Sequence, residues 1–241
     1  MNGEAESRKA IVEAGQRLYD RFFIAANDGN ISCRLGSGEI LVTPTQVSKG
    51  DLKPEDILKV DTAGQVLTGK LKPTSELKMH LAIYRLRPDL SAIVHAHPPA
   101  ATGFAAARVR LDKEVVLPEV VFGLGRIGFA EYGAPSTEEV PRAVEKEIGR
   151  CDALLLSNHG ALAASDTVMK AYYRMETLEM YCRVLLVTRL LGGARPLSPG
   201  QVEQLEQLRE QQQAGGRSAA PDQKTIDLVV ETVLEVLKRA Q

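Results

Sequence analysis

The chain is expected to form a layered α/β or α+β single domain. Three observations carry that expectation: segments of helical and strand periodicity are intermixed along it, no segment repeats, and 241 residues suffice for one large hydrophobic core. Hydrophobic residues make up 44% and charged residues 25%, ordinary values for a globular protein.

Residues 5–26 carry Ile11, Ala14, Leu18, Phe22 and Ala25 at three- and four-residue intervals, the pattern of an amphipathic helix that the run 28–30 ends. Strands are expected at 30–35 and 39–43 around a Gly-rich turn, with Pro44 closing the second. A short turn or helix then leads into a strand ending at Asp61, and 62–69 reads as a hairpin into another short strand. Leu77, Leu81, Ile83 and Tyr84 give 75–87 an apolar side, and Pro73 and Pro88 bound this helix. Residues 92–97 form a strand cut off by Pro98 and Pro99, followed by an Ala-rich helix at 100–107. Strand-like pieces are expected at 114–122 and 126–129. Ser136 and Glu139 fit a capping box for a helix over 137–149. The apolar run 153–159 is a buried strand, and 161–166 leads into a long helix over 166–190. The core pattern ends near 192. Beyond it come a linker, a surface helix at 201–213, a flexible stretch, and a last helix at 223–239 whose apolar face packs on the core or a neighbouring subunit.

Composition excludes several classes. Lys plus Arg total 30 against 31 for Asp plus Glu, so no basic excess argues for nucleic acid or an anionic membrane. No apolar run approaches the roughly 18–20 residues that span a bilayer, and the first fifteen residues have no apolar signal core. A cytoplasmic protein is expected. Cys33, Cys151 and Cys182 show no paired spacing, so a disulfide framework is not expected.

The histidines carry the chemistry. His95 and His97 lie two apart in a strand, which puts both rings on one face, with Cβ atoms roughly 6–7 Å apart. His159 ends another apolar strand, just before Gly160, which lets the backbone pass closely. Three imidazoles suit zinc, cobalt, manganese or iron and leave a coordination position open for catalysis. His80 stands four residues after Glu76 on one helix side; it reads as a helix-surface or core histidine bonded to backbone, with a fourth ligand or a base as the alternative.

Glu76 follows Pro73, Thr74 and Ser75 in the first turn of its helix, where a carboxylate can serve the helix dipole and where free N–H groups and hydroxyls can receive a phosphate. Thr43, Thr45 and Asn30 could add polar groups, or merely shape turns. The spaced glycines of 123–128 precede no suitable helix and are not a nucleotide fingerprint.

Five strings, Gly29–Ser32, Thr43–Thr45, Pro73–Glu76, Val94–Pro98 and Asn158–Gly160, resemble in order and spacing the class II aldolase/adducin family, especially its L-fuculose-phosphate aldolase branch. The resemblance covers roughly 8–192. It implies a three-layer α/β/α domain around a mainly antiparallel sheet, with 1–192 the catalytic domain and 193–241 a linker and helical extension. It implies a zinc ion, with Mn2+, Co2+ or Fe2+ as alternatives, on His95, His97 and His159. Glu76 becomes the acid/base, and Asn30, Thr45, Gln46, Thr74 and Ser75 bind the substrate phosphate. The family often has Gly where Gln46 stands. Its second proton-transfer tyrosine should fall within 116–123, where none occurs; Glu119 is the candidate replacement, with Tyr132 another. The implied reaction cleaves a ketose 1-phosphate, such as fuculose or 5-deoxyribulose 1-phosphate, into dihydroxyacetone phosphate and an aldehyde, in a homotetramer with sites near subunit boundaries. Rivals are a methylthioribulose-1-phosphate dehydratase, a sugar-phosphate 4-epimerase, and a non-catalytic adducin-like interaction domain.

Overall fold

A computed structural model describes residues 3–111 and 115–216. Strand β1 (Asn30–Arg34) follows helix α1 (Glu4–Asp20), and β2 (Ile40–Val42), β3 (Leu58–Val60) and β4 (Val66–Thr68) come next. Helix α2 (Leu77–Leu86), β5 (Ala92–Ala96), α3 (Pro99–Ala106), α4 (Pro118–Gly123) and β6 (Ile127–Ala130) follow. The order ends with α5 (Glu139–Ile148), β7 (Ala153–Leu156), β8 (Gly160–Ser165), α6 (Val168–Leu190) and α7 (Pro199–Gly216). The strands form one sheet in the order β4-β3-β2-β1-β5-β8-β7-β6. Every pairing is antiparallel except β6 with β7.

The strand period of two separates the faces. Val94, Ala96, Leu155 and Ala163 point to one side, where they share a core with Ile11 and Leu18 of α1, Phe104 of α3, and Met175 and Leu178 of α6. Ile93, Leu154, Leu156 and Leu162 point to the other, against Met79 and Ile83 of α2 and Val144 and Ile148 of α5. The three-layer α/β/α arrangement with a mainly antiparallel sheet is thus present. All three cysteines are free and buried. Among the described residues, no helix is long and apolar enough to cross a membrane.

Several boundaries differ from the sequence reading. Helix α1 stops at Asp20, because Phe22 at φ 58° turns the chain and the amides of Phe22 and Phe23 satisfy the carbonyls of Tyr19 and Leu18. The expected strand at 114–122 is instead the short helix α4, started by Pro118 at its first position. The strand expected over 153–159 ends at Leu156. The stretch 161–166, expected to lead into a helix, falls mostly in β8, fully buried between β5 and β7. Ser136 caps nothing. Thr137 Oγ1 accepts from the Glu139 amide, and the Glu139 carboxylate accepts from Ala134. The helix expected at 223–239 lies outside the described residues.

Candidate metal centre

Strand β5 lies inside the sheet, paired with β1 on one side and β8 on the other. His95 shares the parity of Ile93 and faces α2. It is fully buried, and its Nδ1 lies 2.9 Å from the Ala161 carbonyl. A carbonyl only accepts, so Nδ1 carries a proton and Nε2, facing the centre, is the nitrogen able to offer a lone pair to a cation. His97 stands just past the strand end, where its amide donates to Phe23 O at 2.9 Å. Its Nε2 is 3.2 Å from His95 Nε2, and its Nδ1 is 3.5 Å from Asp28. His159 is delivered by the turn after β7, with Asn158 at φ 54°, a conformation that asparagine tolerates. A Cβ on Gly160 would come within 2.6 Å of both Ala96 O and the His97 ring, and one on Gly29 within 2.9 Å of His95 O. Both glycines let backbone close onto the histidine strand.

The ligating atoms of His95, His97 and His159 all lie within 4.8 Å of one another. Glu76 reaches the same point: Oε2 is 3.2 Å from His95 Nε2, and Oε1 is 3.4 Å from His159 Nε2. Glu76 stands at the N-cap of α2, yet its side chain caps nothing there. Burial opposes ionisation of Glu76, but His95, His159 and the Asn30 amide together hold it well below the usual carboxylate range. Burial opposes protonation of His95, and Glu76 outweighs it, so that ring's pKa rises. Burial and the neighbouring His95 push His97 down and His159 to about 4, so both present lone pairs.

The donor set fits a divalent cation. Glu76 Oε1 is buried without a hydrogen-bond partner, a condition costing about 1–3 kcal/mol or more. A cation among three convergent nitrogen lone pairs and that oxygen answers both demands. Three nitrogens leave positions open to a substrate.

The loops that feed the centre are stitched together. Ile31 N donates to Thr43 Oγ1, Thr43 N to Ile31 O, Thr74 N to Thr43 O and Thr45 N to Lys72 O, at 3.0–3.1 Å. Asn30, Thr45, Gln46, Thr74 and Ser75 therefore lie on linked segments beside the start of α2. Thr74 Oγ1 accepts from the Glu76 amide. Gln46 has φ 60°, a left-handed conformation that favours glycine.

Three features escaped the sequence reading. Lys49 is 2% exposed and clamps two loops, its Nζ donating to Asn27 O at 2.6 Å and Val47 O at 2.9 Å. Burial pushes its pKa down to about 8, against the pull of Asp28 and Glu76. One lysine in a polar run gives no periodic signal. His80 is fully buried, but its partners are side chains, Asn30 and Ser32, and not backbone. Tyr84 joins them through Ser32. The spacing of Glu76, His80 and Tyr84 was the available clue.

Glu119 is not brought to this point within the chain. It is exposed, in an open cleft of about 500 Å³ lined by Arg21, Glu176 and Met180, with none of the three histidines. Tyr132 is 55% exposed, on a loop whose Glu131 and Gly133 share a small pocket with His159.

Known proteins resemble this chain in sequence and in fold. The family described as "Class II Aldolase and Adducin N-terminal domain" matches residues 9–186. An L-fuculose phosphate aldolase of Methanococcus vannielii is 37% identical over 175 residues, covering 71% of this chain and 91% of its own. A 3-oxo-tetronate 4-phosphate decarboxylase of Pectobacterium atrosepticum is 30% identical over 191 residues, covering 78% of this chain and 87% of its own. Among solved structures, the L-fuculose-1-phosphate aldolase of Thermus thermophilus superposes with a TM-score of 0.68 at 31% identity, covering 80% of this chain and all of that one.

Proposed function

The chain belongs to the class II aldolase and adducin family, and from that premise we propose that it is a metal-dependent aldehyde-lyase acting on a ketose 1-phosphate. One observation carries the reading: the Glu76 carboxylate is wedged against His95 and His159, with one oxygen lacking a hydrogen bond. That arrangement also speaks for an enzyme over a non-catalytic interaction domain.

His95, His97 and His159 would hold the ion, zinc first, with manganese, cobalt or iron as alternatives. When bound, the ion supplies a Lewis acid that draws negative charge onto the substrate's carbonyl oxygen. Thr45, Gln46, Thr74 and Ser75 dock the phosphate beside the start of α2, with Asn30 contributing its remaining amide proton. In cleavage, the C4 hydroxyl loses its proton, the C3–C4 bond breaks, an aldehyde departs, and the electron pair moves toward the C2 carbonyl. Glu76 takes up a proton from solvent and places it on C3, giving dihydroxyacetone phosphate and returning to its carboxylate form. In condensation it removes that proton. Glu119 is the proposed partner for the C4 hydroxyl proton, supplied by a neighbour in a homotetramer. The exposed Met180, Val187 and Leu190 of α6, with Leu191 just past its end, support such an assembly.

A second reading is favoured by the position of Glu119 and by the decarboxylase relative. A 3-oxo acid phosphate loses CO2 with no hydroxyl proton to remove, so Glu76 alone would serve, again by protonating carbon. Metal-loaded protein incubated separately with L-fuculose 1-phosphate and 3-oxo-tetronate 4-phosphate tests both. Dihydroxyacetone phosphate with an aldehyde is the expected result, abolished by a chelator and restored by zinc or manganese. Formation with CO2 only from the acid would establish the second reading. No three-carbon phosphate from either, at full metal occupancy, would overturn both.

A further inference from the structure

Helix α2 and strand β1 meet along matched repeats. Four residues of helix rise about 6 Å, and two residues of strand about 6.7 Å. Glu76, His80 and Tyr84 stand at successive four-residue steps, and Asn30 and Ser32 at a two-residue step on the face that meets α2. The side chains interdigitate in the order Glu76, Asn30, His80, Ser32, Tyr84. Asn30 Nδ2 lies 2.8 Å from Glu76 Oε2, and Asn30 Oδ1 lies 2.5 Å from His80 Nε2. Ser32 Oγ lies 2.6 Å from His80 Nδ1 and 2.8 Å from Tyr84 Oη. Asn30, Ser32, His80 and Tyr84 are all at most 4% exposed.

The direction of every bond follows from its neighbour. A carboxylate only accepts, so Asn30 must present its NH2 to Glu76. Its carbonyl oxygen then faces His80, so His80 Nε2 carries the proton. Nδ1 is then the acceptor and takes the Ser32 hydroxyl proton. The serine oxygen, having donated, accepts from Tyr84. Each link leaves one choice for the next, and the sequence of donors runs from the core to Glu76 without a conflict.

We propose that Tyr84, Ser32, His80 and Asn30 form a one-directional hydrogen-bond relay that positions the Glu76 carboxylate at the metal centre. These are positioning residues: only Asn30 touches Glu76, and His80 acts through it as a neutral, fixed tautomer. The relay gives Asn30 a task beyond receiving phosphate and makes His80 neither a fourth ligand nor a base. Its effect on turnover rests on the function proposed above; its hydrogen-bond direction does not.

Nitrogen NMR of ¹⁵N-histidine-labelled full-length protein, with the His80 signals identified by their loss in His80→Gln, tests the direction. The relay requires His80 protonated at Nε2 alone near neutral pH. A proton at Nδ1, or an imidazolium, overturns the relay whatever the enzyme's substrate. Ser32→Ala removes the donor that enforces the tautomer and is expected to give a mixture of the two tautomers. Exchange of the C3 proton of dihydroxyacetone phosphate with D2O then reads Glu76 without any aldehyde. Ser32→Ala and Asn30→Ala should slow it on the order of 10- to 100-fold, with bound metal unchanged, and Tyr84→Phe should slow it less. Exchange at the wild-type rate in Asn30→Ala and Ser32→Ala overturns the positioning role. Absence of exchange in the wild-type protein counts against the proposed function, while the tautomer still decides the relay. If a variant does not fold, the wild-type tautomer remains decisive.

Discussion

Glu76 and Glu119 start from similar local settings and end in opposite ones. Each follows a proline closely and stands at the beginning of a helix on the chain. Glu76 is 11% exposed at its side chain, pressed against two imidazoles and tied to the core through Asn30. Glu119 is exposed beside Arg21 and Glu176, in a cleft open to solvent. The difference comes from what the sheet delivers. Central strand β5 and the turn after β7 carry histidines to Glu76, while α4 and α6 bring Glu119 no such partners. A carboxylate's chemistry is set by the groups that meet it, and for these two the meeting is long-range.

Paired substitutions break or sharpen that contrast. Glu76→Gln should keep the metal, measured by elemental analysis, and lower kcat by about 10²–10⁴-fold, the share expected of a general acid/base. Glu119→Gln should lower kcat by at least about tenfold in the same assay, through the neighbouring centre to which it is proposed to bring a base. A smaller loss would mean that each centre is complete within one chain. Gly160→Ala is next in size. Its new methyl group meets Ala96 O and the His97 ring at 2.6 Å, so a loss of about 1–3 kcal/mol is expected in urea unfolding, together with weaker metal binding. An unchanged midpoint would show that the His97 corner yields freely. The smallest effect belongs to Gln46→Gly. Relief of the left-handed backbone should raise stability by up to about 1 kcal/mol, while KM for the phosphorylated substrate shifts as a side chain leaves the pocket. A stability loss would show that the glutamine side chain holds its loop.

Much of this contrast was legible in the chain. The two-residue spacing of His95 and His97 fixes a shared face, and Pro73 and Pro88 bracket α2 closely. Local pattern failed where tertiary context decides. The Gly-Ala-Leu-Ala-Ala run has helix-forming composition, yet pairing with both β5 and β7 makes it a fully buried strand. Val120 and Val121 suggest β structure, but Pro118 starts a helix, and their burial decides the outcome. Ser32 and Lys49 acquire meaning only when segments distant in sequence touch, and nothing in their own neighbourhoods announces it.

The three imidazoles are not equally anchored. His95 sits within two ladders and is bolted by a backbone carbonyl, and His159 is only 12% exposed at its side chain. His97 lies beyond the last rung of β5, 27% exposed, steadied mainly by one amide and by Asp28. The cage thus has two fixed walls and one hinged one. Ions should enter and leave past His97, and the speed of that exchange should answer to Asp28, on the rim, and not to the sheet beneath.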